Sequence, residues 1–304
     1  MIEKTPILNI VTHAILIIAA AMMCFPIYIS LVTATLPFER VAEIPKPLWP
    51  GDQLLVNMAR AWERGGFSTL YMNSLISATT IMVGKIAIAM ITAFALVYFR
   101  FRFRALAFWM IFITLMLPLE VRIVPTYEIA SNVLLPFQKI LEWTGIAWLI
   151  QTVSGVRVAL KLSLINTYMG LTLPLIATAT GTFLFRQFFL TIPDELAEAA
   201  KMDGSGALRF FWDMLLPLSR TNIAALAVIM FVFGWNQYLW PLLVTTGPEY
   251  RTLTIGLTAM QPGSDATADW NVILAGALLV MTPPVLVVVF AQRWFVKGLV
   301  NSEK

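Results

Sequence analysis

Charge is what this sequence has least of. Its 304 residues include 21 Lys and Arg and 17 Asp and Glu, or 12% of the chain. That is about half the share typical of a soluble globular protein. A water-exposed domain of this length needs more ionic surface, so a soluble enzyme, a coiled coil and a disordered chain are all excluded. The net charge of +4 is too small for a nucleic-acid-binding surface, and in an apolar chain such an excess reads as topology. Cysteine occurs once, as Cys24, and histidine once, as His13. The first count removes an intrachain disulfide and a thiolate zinc site; the second removes His-pair metal centres. Cys24 reads as an inert buried thiol and His13 as a residue satisfied inside a helix bundle.

What is present is hydrophobic, at 59% of the chain. A membrane-crossing helix needs about 20 apolar residues to cross a hydrocarbon core about 30 Å thick. Six stretches meet that need: Ile7 to Leu31, Leu70 to Phe99, Ala105 to Val124, Leu162 to Phe185, Asn222 to Thr245, and Val272 to Phe295. The first is too long for a signal-peptide core and its basic flank is thin, so it reads as a retained anchor. The second is interrupted by Lys85 and stopped by Arg100, Arg102 and Arg104. Pro283-Pro284 in the sixth predicts a kink. The stretch Phe137 to Leu160 holds a short apolar run with Glu142, Gln151 and Arg157 nearby, and reads as an interfacial or loop helix rather than a seventh span.

The expected fold class is therefore an all-α polytopic membrane protein with six transmembrane helices. An even number of crossings puts both termini on one side. The basic surplus lies at the termini, at Arg100–Arg104 and between Arg186 and Arg220, which places both termini in the cytoplasm. No internal repeat and no soluble domain boundary is visible, so the chain reads as a single membrane domain over 1–304, with a core of about 66–295 behind the anchor of about 7–31.

The loop between spans four and five carries the densest local signals. Pro193 suits a first helical position, and Asp194 and Glu195 suit the positive end of a helix. Leu196, Ala199 and Ala200 share one face. Gly204 is placed to end the helix in a left-handed conformation. A second helical stretch follows, with Phe210, Phe211, Met214 and Leu215 on its apolar side. On composition alone this is an amphipathic connector. Its spacing says more: Glu198-Ala199-Ala200, three residues, Gly204, nine residues, then Met214, one residue, and Leu216-Pro217. This run resembles the EAA loop of ABC importer permeases.

Further runs resemble the carbohydrate-uptake (MalG-like) branch of that family: Asn73-Ser74-Leu75, Arg100-Phe101-Arg102-Phe103, and Trp235-Asn236-Gln237-Tyr238-Leu239-Trp240-Pro241-Leu242. Phe112-Ile113-Thr114-Leu115-Met116-Leu117-Pro118, Glu120-Val121-Arg122, Phe185-Arg186-Gln187-Phe188-Phe189 and the ending Ser302-Glu303-Lys304 are similar to the permeases of sn-glycerol-3-phosphate importers. The stretch near 135–161 is longer than that resemblance leads one to expect.

The resemblance implies a permease subunit in the bacterial cytoplasmic (inner) membrane. It implies a second permease subunit as heterodimer partner, two ATP-binding subunits, and an extracytoplasmic solute-binding protein. It implies that Glu198, Ala199, Ala200, Asp203 and Gly204 form the ATPase-coupling segment, the alanines allowing close approach and the two carboxylates pairing with basic groups on the ATPase. The alternative for Glu198 and Asp203 is capping and solvation. The chain has no phosphate-binding Gly-x4-Gly-Lys-Ser/Thr loop, so no cofactor is expected on it; ATP and Mg belong to the partner subunits. No nucleic-acid partner is expected; membrane lipid is.

Two groups of residues at membrane depth remain. Lys85 lies near the middle of span two, where a charge needs a partner or a wet cavity. Arg122 lies near the outer end of span three, and a guanidinium can hold a phosphate by two parallel hydrogen bonds. Both are candidate attractors for a phosphorylated substrate; the alternative is that Arg122 pairs with Glu120 or Glu128 and that Lys85 pairs or snorkels. Asn236 and Gln237, beside Trp235, Tyr238 and Trp240, either line a path for a polyol or bridge helices. The alternatives for the whole chain are a permease for a neutral sugar or polyol, an ATP-independent secondary transporter, which leaves the EAA spacing unexplained, and an integral-membrane enzyme, for which no clustered His, Cys or carboxylates exist at membrane depth.

Overall fold

The computed structural model describes the backbone of residues 6–155, 157, 159–177, 179–261 and 268–300. The ending Ser302-Glu303-Lys304 lies outside them. Among the described residues there are helices and no strands. The helices are α1 (Pro6–Thr35), α2 (Phe38–Val41), α3 (Leu54–Arg64), α4 (Phe67–Tyr98), α5 (Arg104–Met116), α6 (Leu119–Ser131), α7 (Leu135–Trp143), α8 (Ile146–Ser154), α9 (Tyr168–Ile176), α10 (Ala179–Phe189), α11 (Asp194–Met202), α12 (Ala207–Phe210), α13 (Leu216–Leu218), α14 (Arg220–Trp235), α15 (Leu239–Val244), α16 (Leu253–Ala259) and α17 (Trp270–Val300).

Helices α1, α4 and α17 are long and apolar enough to cross a membrane. At 1.5 Å per residue, α4 with its 32 residues is about 48 Å long. The apolar stretches of the sequence reappear, and three of them are broken. Span three is two helices, because Leu117 and Pro118 are both extended and Pro118 caps α6. Span four begins at Tyr168 rather than Leu162 and bends by 46° between α9 and α10. Span five stops at Trp235 and resumes at Leu239. Span six, by contrast, runs as one helix through Pro283-Pro284, with no break there. A proline near a helix start, or one whose freed carbonyl finds another donor, need not interrupt it. The 135–155 stretch is two nine-residue helices, α7 and α8, joined at Gly145 with φ +74°. Each is about 13 Å long, too short to cross.

The chain forms two compact units. One comprises the residues up to Ser68 together with Gly256–Thr282. Its centre is polar. Asn57 Nδ2 donates to the carbonyls of Ala34 and Leu36, both at 2.9 Å, and Asn271 Nδ2 donates to Leu36 O at 3.2 Å. These amides satisfy carbonyls freed where α1 ends. Arg64 and Asp269 form an ion pair beside them. His13 is exposed on α1 and donates from Nδ1 to Asn9 O at 2.6 Å, within its own helix. Cys24 is exposed as well. Neither is inside a bundle, because α1 is exposed throughout from Ile7 to Tyr28.

The other unit comprises Thr69–Ile255 and the residues from Pro283 on. One of its cores joins α4, α10, α11, the α12 region and α14 through Ala93, Phe94, Phe185, Phe189, Ala200, Phe211 and Met230. A second joins α4, α6, α9 and α15 through Ile81, Ala130, Leu171, Leu175, Trp240 and Val244. Helices α4 and α9 approach closely: a Cβ on Gly84 would stand 2.7 Å from Ile176 Cδ1.

Candidate functional site

The segment from Pro193 to Pro217 is built by three local rules. Pro193, at φ −59° and ψ 135°, starts α11, and Asp194 and Glu195 occupy its first turn, where negative charge is favoured. The helix ends in a paired cap: Gly204 N donates to Lys201 O at 3.0 Å, and Ser205 N donates to Ala200 O at 2.8 Å. That is the Schellman arrangement, and it requires the left-handed residue that Gly204 supplies at φ +72°. Helix α12 then runs into a wide turn over Phe211–Leu215, in which Leu216 N donates to Phe211 O. Pro217 supports this widening: it has no N–H for the Asp213 carbonyl, and its ring would crowd that carbonyl in a regular α-helix. A 74° bend at Ser219 then turns the chain into α14.

Ala200 is buried in the Phe94, Phe189, Phe210 and Phe211 core, and Ala197 packs against the same cluster. The small side chains let α11 lie close on the end of α4, beside a cleft of about 210 Å³ whose walls include Phe94, Tyr98, Ala200 and Phe210. Ala199 is half-buried; Glu198, Asp203 and Gly204 are exposed. Among the described residues neither Glu198 nor Asp203 has an ion pair. Around them Met202 and Leu208 are exposed at 84% and 74%, a high value for apolar side chains flanking two carboxylates.

Inside the long apolar helix α4, Lys85 is 5% exposed, and its Nζ lies 4.2 Å from the centroid of the Phe233 ring. Arg122 lies on α6, whose Ile123 packs into the same core as Ile81, one turn before Lys85 on α4. Arg122 Nε is buried without a hydrogen-bond partner. Among the described residues no carboxylate lies within ion-pairing distance of either cation, Glu120 and Glu128 included.

The α14–α15 break holds the remaining sequence candidates. Trp235 is 1% exposed, packed edge-on against Tyr71 at 5.5 Å and stacked on Phe231. Gln237 Nε2 donates back to Phe233 O at 3.2 Å, and Gln237 O accepts from Thr254 Oγ1 at 2.8 Å. Asn236 and Tyr238 are exposed. Trp240 is fully buried and donates from Nε1 to Gly170 O at 3.0 Å. So the tryptophans are packed, while Asn236 and Tyr238 stand open at the break.

Two arrangements have no counterpart in the sequence reading. Phe233 lies beneath Lys85, and an aromatic inside an apolar run carries no signal of that. Asn73 is a three-way junction: its Nδ2 donates to Glu249 O and Arg251 O at 2.8 and 2.9 Å, and its Oδ1 accepts from Tyr168 OH at 2.7 Å. Ser74 Oγ beside it accepts from Leu253 N at 2.8 Å. An amide and a hydroxyl at the start of an apolar span were the available signal.

Residues 85–301 match the family described as the binding-protein-dependent transport system inner membrane component. Over 310 residues, and the full length of both chains, the protein is 46% identical to the sn-glycerol-3-phosphate transport system permease protein UgpE of Yersinia enterocolitica serotype O:8 / biotype 1B. It is 48% identical over 311 residues, again at full coverage, to the protein of that name from Rhizobium meliloti (strain 1021). Its fold is similar to a chain from the crystal structure of a bacterial ABC transporter involved in the import of the acidic polysaccharide alginate, with a TM-score of 0.74 at 19% identity, over 97% of this chain and 99% of that one. With most of its length inside the family match and full-length relatives well above 30% identity, this chain belongs to the inner-membrane permease subunits of binding-protein-dependent ABC importers, multi-pass transport subunits rather than enzymes.

Proposed function

We propose that this chain carries sn-glycerol-3-phosphate across the cytoplasmic membrane as one of two different permease subunits, driven by two ATPase subunits and supplied by an extracytoplasmic binding protein. The observation that carries the coupling part is the capped helix α11, seated by Ala197 and Ala200 on the end of α4, with Glu198 and Asp203 left facing outward and unpaired among the described residues. A helix held on one side by the bundle and presenting charge on the other can pass a push from a partner into the spans. The substrate part rests on the names of the full-length relatives.

In this reading the chain crosses six times. The crossings are α1, α4, the α5–α6 pair broken at Pro118, the bent α9–α10 pair, α14 with α15, and α17. Both termini and α11 lie in the cytoplasm, and Asn236, Gln237 and Tyr238 border the pathway at the α14–α15 break. The break supports this, since Asn236 and Tyr238 are exposed there and the freed carbonyl of Gln237 is taken up by Thr254. Open backbone at membrane depth is tolerated where it meets a cavity or other protein.

The test is co-purification and uptake by the assembled complex. The wild type is expected to bring an ATPase subunit with it and to import sn-glycerol-3-phosphate in preference to neutral sugars. Glu198→Arg reverses the charge offered to the ATPase and is expected to weaken that association by about tenfold or more. Full retention of the ATPase together with unchanged uptake would remove Glu198 from the coupling contact. Preference for a neutral sugar would assign the chain to another substrate of the same family.

A further inference from the structure

We propose that Lys85 and Arg122, with the Phe233 ring, form a transit site for a phosphate monoester within the permease. This rests on the reading above and goes further by naming which residues meet the anionic group and how it is released.

Three observations converge. Lys85 is 5% exposed, and its ammonium rests over the ring of Phe233 at 4.2 Å. Arg122 lies on the helix whose Ile123 packs into the same core as Ile81, one turn before Lys85, and its Nε is buried and unpartnered. Among the described residues no carboxylate pairs with either. A buried cation without a counter-ion is unfavourable, and two that repel each other are more so. A structural ion pair would have placed an Asp or Glu here. The site is instead complementary to an anion that comes and goes.

A phosphate monoester fits its chemistry. The guanidinium offers two parallel donors to two phosphate oxygens, and the ammonium offers a point charge to a third. A neutral sugar would leave both charges uncompensated. Phe233 explains how the site stays usable. Between substrate molecules its ring face holds the ammonium by a cation–π contact, weaker than an ion pair to phosphate. Lys85 therefore exchanges one weak partner for a stronger one when substrate arrives, and has somewhere to return when it leaves. Conduction needs binding that is favourable enough to admit the ligand and weak enough to release it.

The experiment uses the full complex in vesicles with its binding protein and labelled sn-glycerol-3-phosphate. Lys85→Met and Arg122→Gln are each expected to lower uptake about tenfold or more, the scale of a lost hydrogen bond to a charged group. Lys85→Arg keeps the charge and is expected to retain most uptake. Co-purification of the ATPase is expected to stay at wild-type levels in all three, which separates the site from assembly. Wild-type uptake in Lys85→Met and Arg122→Gln would overturn the site and leave the functional reading standing. If the wild type imports no sn-glycerol-3-phosphate, the functional reading fails, and inorganic phosphate tests the site alone. Phosphorus-31 line broadening of inorganic phosphate by the purified complex is then expected to vanish in the Lys85→Met/Arg122→Gln double variant; equal broadening would overturn the site.

Discussion

Gly204→Val is expected to abolish coupled uptake while the membrane helices remain inserted. Nothing lies within 4 Å of where a Cβ on Gly204 would stand, so crowding by neighbours is not the reason. The reason is the backbone, at φ +72°. An L-residue held there costs about 1–2 kcal/mol, and a β-branched one is a genuine outlier. To avoid that cost the turn must open, and the bonds from Gly204 N to Lys201 O and from Ser205 N to Ala200 O are then lost. The end of α11 and the direction into α12 change together. A graded series tests this account. Asn tolerates the left-handed region and is expected to retain most uptake, Ala less, and Val almost none. The measurements are substrate uptake and the yield of ATPase recovered with the permease. A Val variant that keeps both at wild-type levels would show that the cap is dispensable.

Asn73→Leu is expected to destabilise the helical bundle more than any change on its outer surface. Asn73 is 2% exposed and makes three hydrogen bonds. Leucine fills similar space but leaves the carbonyls of Glu249 and Arg251 without their amide donor and Tyr168 OH without its acceptor. Each buried group left unsatisfied costs roughly 1–3 kcal/mol, so the total is on the order of 3 kcal/mol or more. For a chain of this size that corresponds to a fall in melting temperature on the order of 5–10 °C in detergent. Asn73→Asp is expected to be no milder, because it turns a carboxylate toward two carbonyl oxygens. Thermal unfolding of the purified complex checks both. Unchanged melting of Asn73→Leu would mean that the junction contributes nothing to stability in solution.

The parts of this structure that could be read from sequence are those fixed by composition or by one residue's backbone preference. The positions of α1, α4 and α17 follow from apolar length alone, because the bilayer acts on every residue of a span in the same way. Helix α11 and its cap follow from Pro193 and Gly204, which act locally. The breaks were not legible. Pro118 coincides with the break after α5, but proline alone does not mark the breaks: Pro174 and Pro125 sit inside α9 and α6, and Pro283-Pro284 sit inside the continuous α17. Where a helix in lipid is interrupted depends on which neighbour can take up its freed backbone groups, as Thr254 does for Gln237. The meeting of Lys85, Arg122 and Phe233 was beyond reach for the same reason. It is a tertiary fact, and three residues on three helices carry no mark of it. The sequence marks Lys85 and Arg122 as candidate attractors for one anionic group; only the fold sets the Phe233 ring against Lys85 and joins the helices of Lys85 and Arg122 in one core.

Helix α1 differs from α4 in what holds it. Of its most apolar window only 6% of residues are buried inside the protein, against 39% for α4. Its last turn, at Val32, Ala34 and Leu36, is anchored by packing and by the Asn57 and Asn271 amides. Within this chain the rest is held by partition between oil and water, not by shape complementarity. Selection on such a segment acts on its average hydropathy and not on the identity of each side chain. Apolar exchanges between Ile7 and Met23 should pass unnoticed, whereas enlarging Ala89 or Ala93 in α4 would force two packed helices apart. One chain thus contains helices under two kinds of constraint, and α1 is free to drift in sequence as long as it stays greasy.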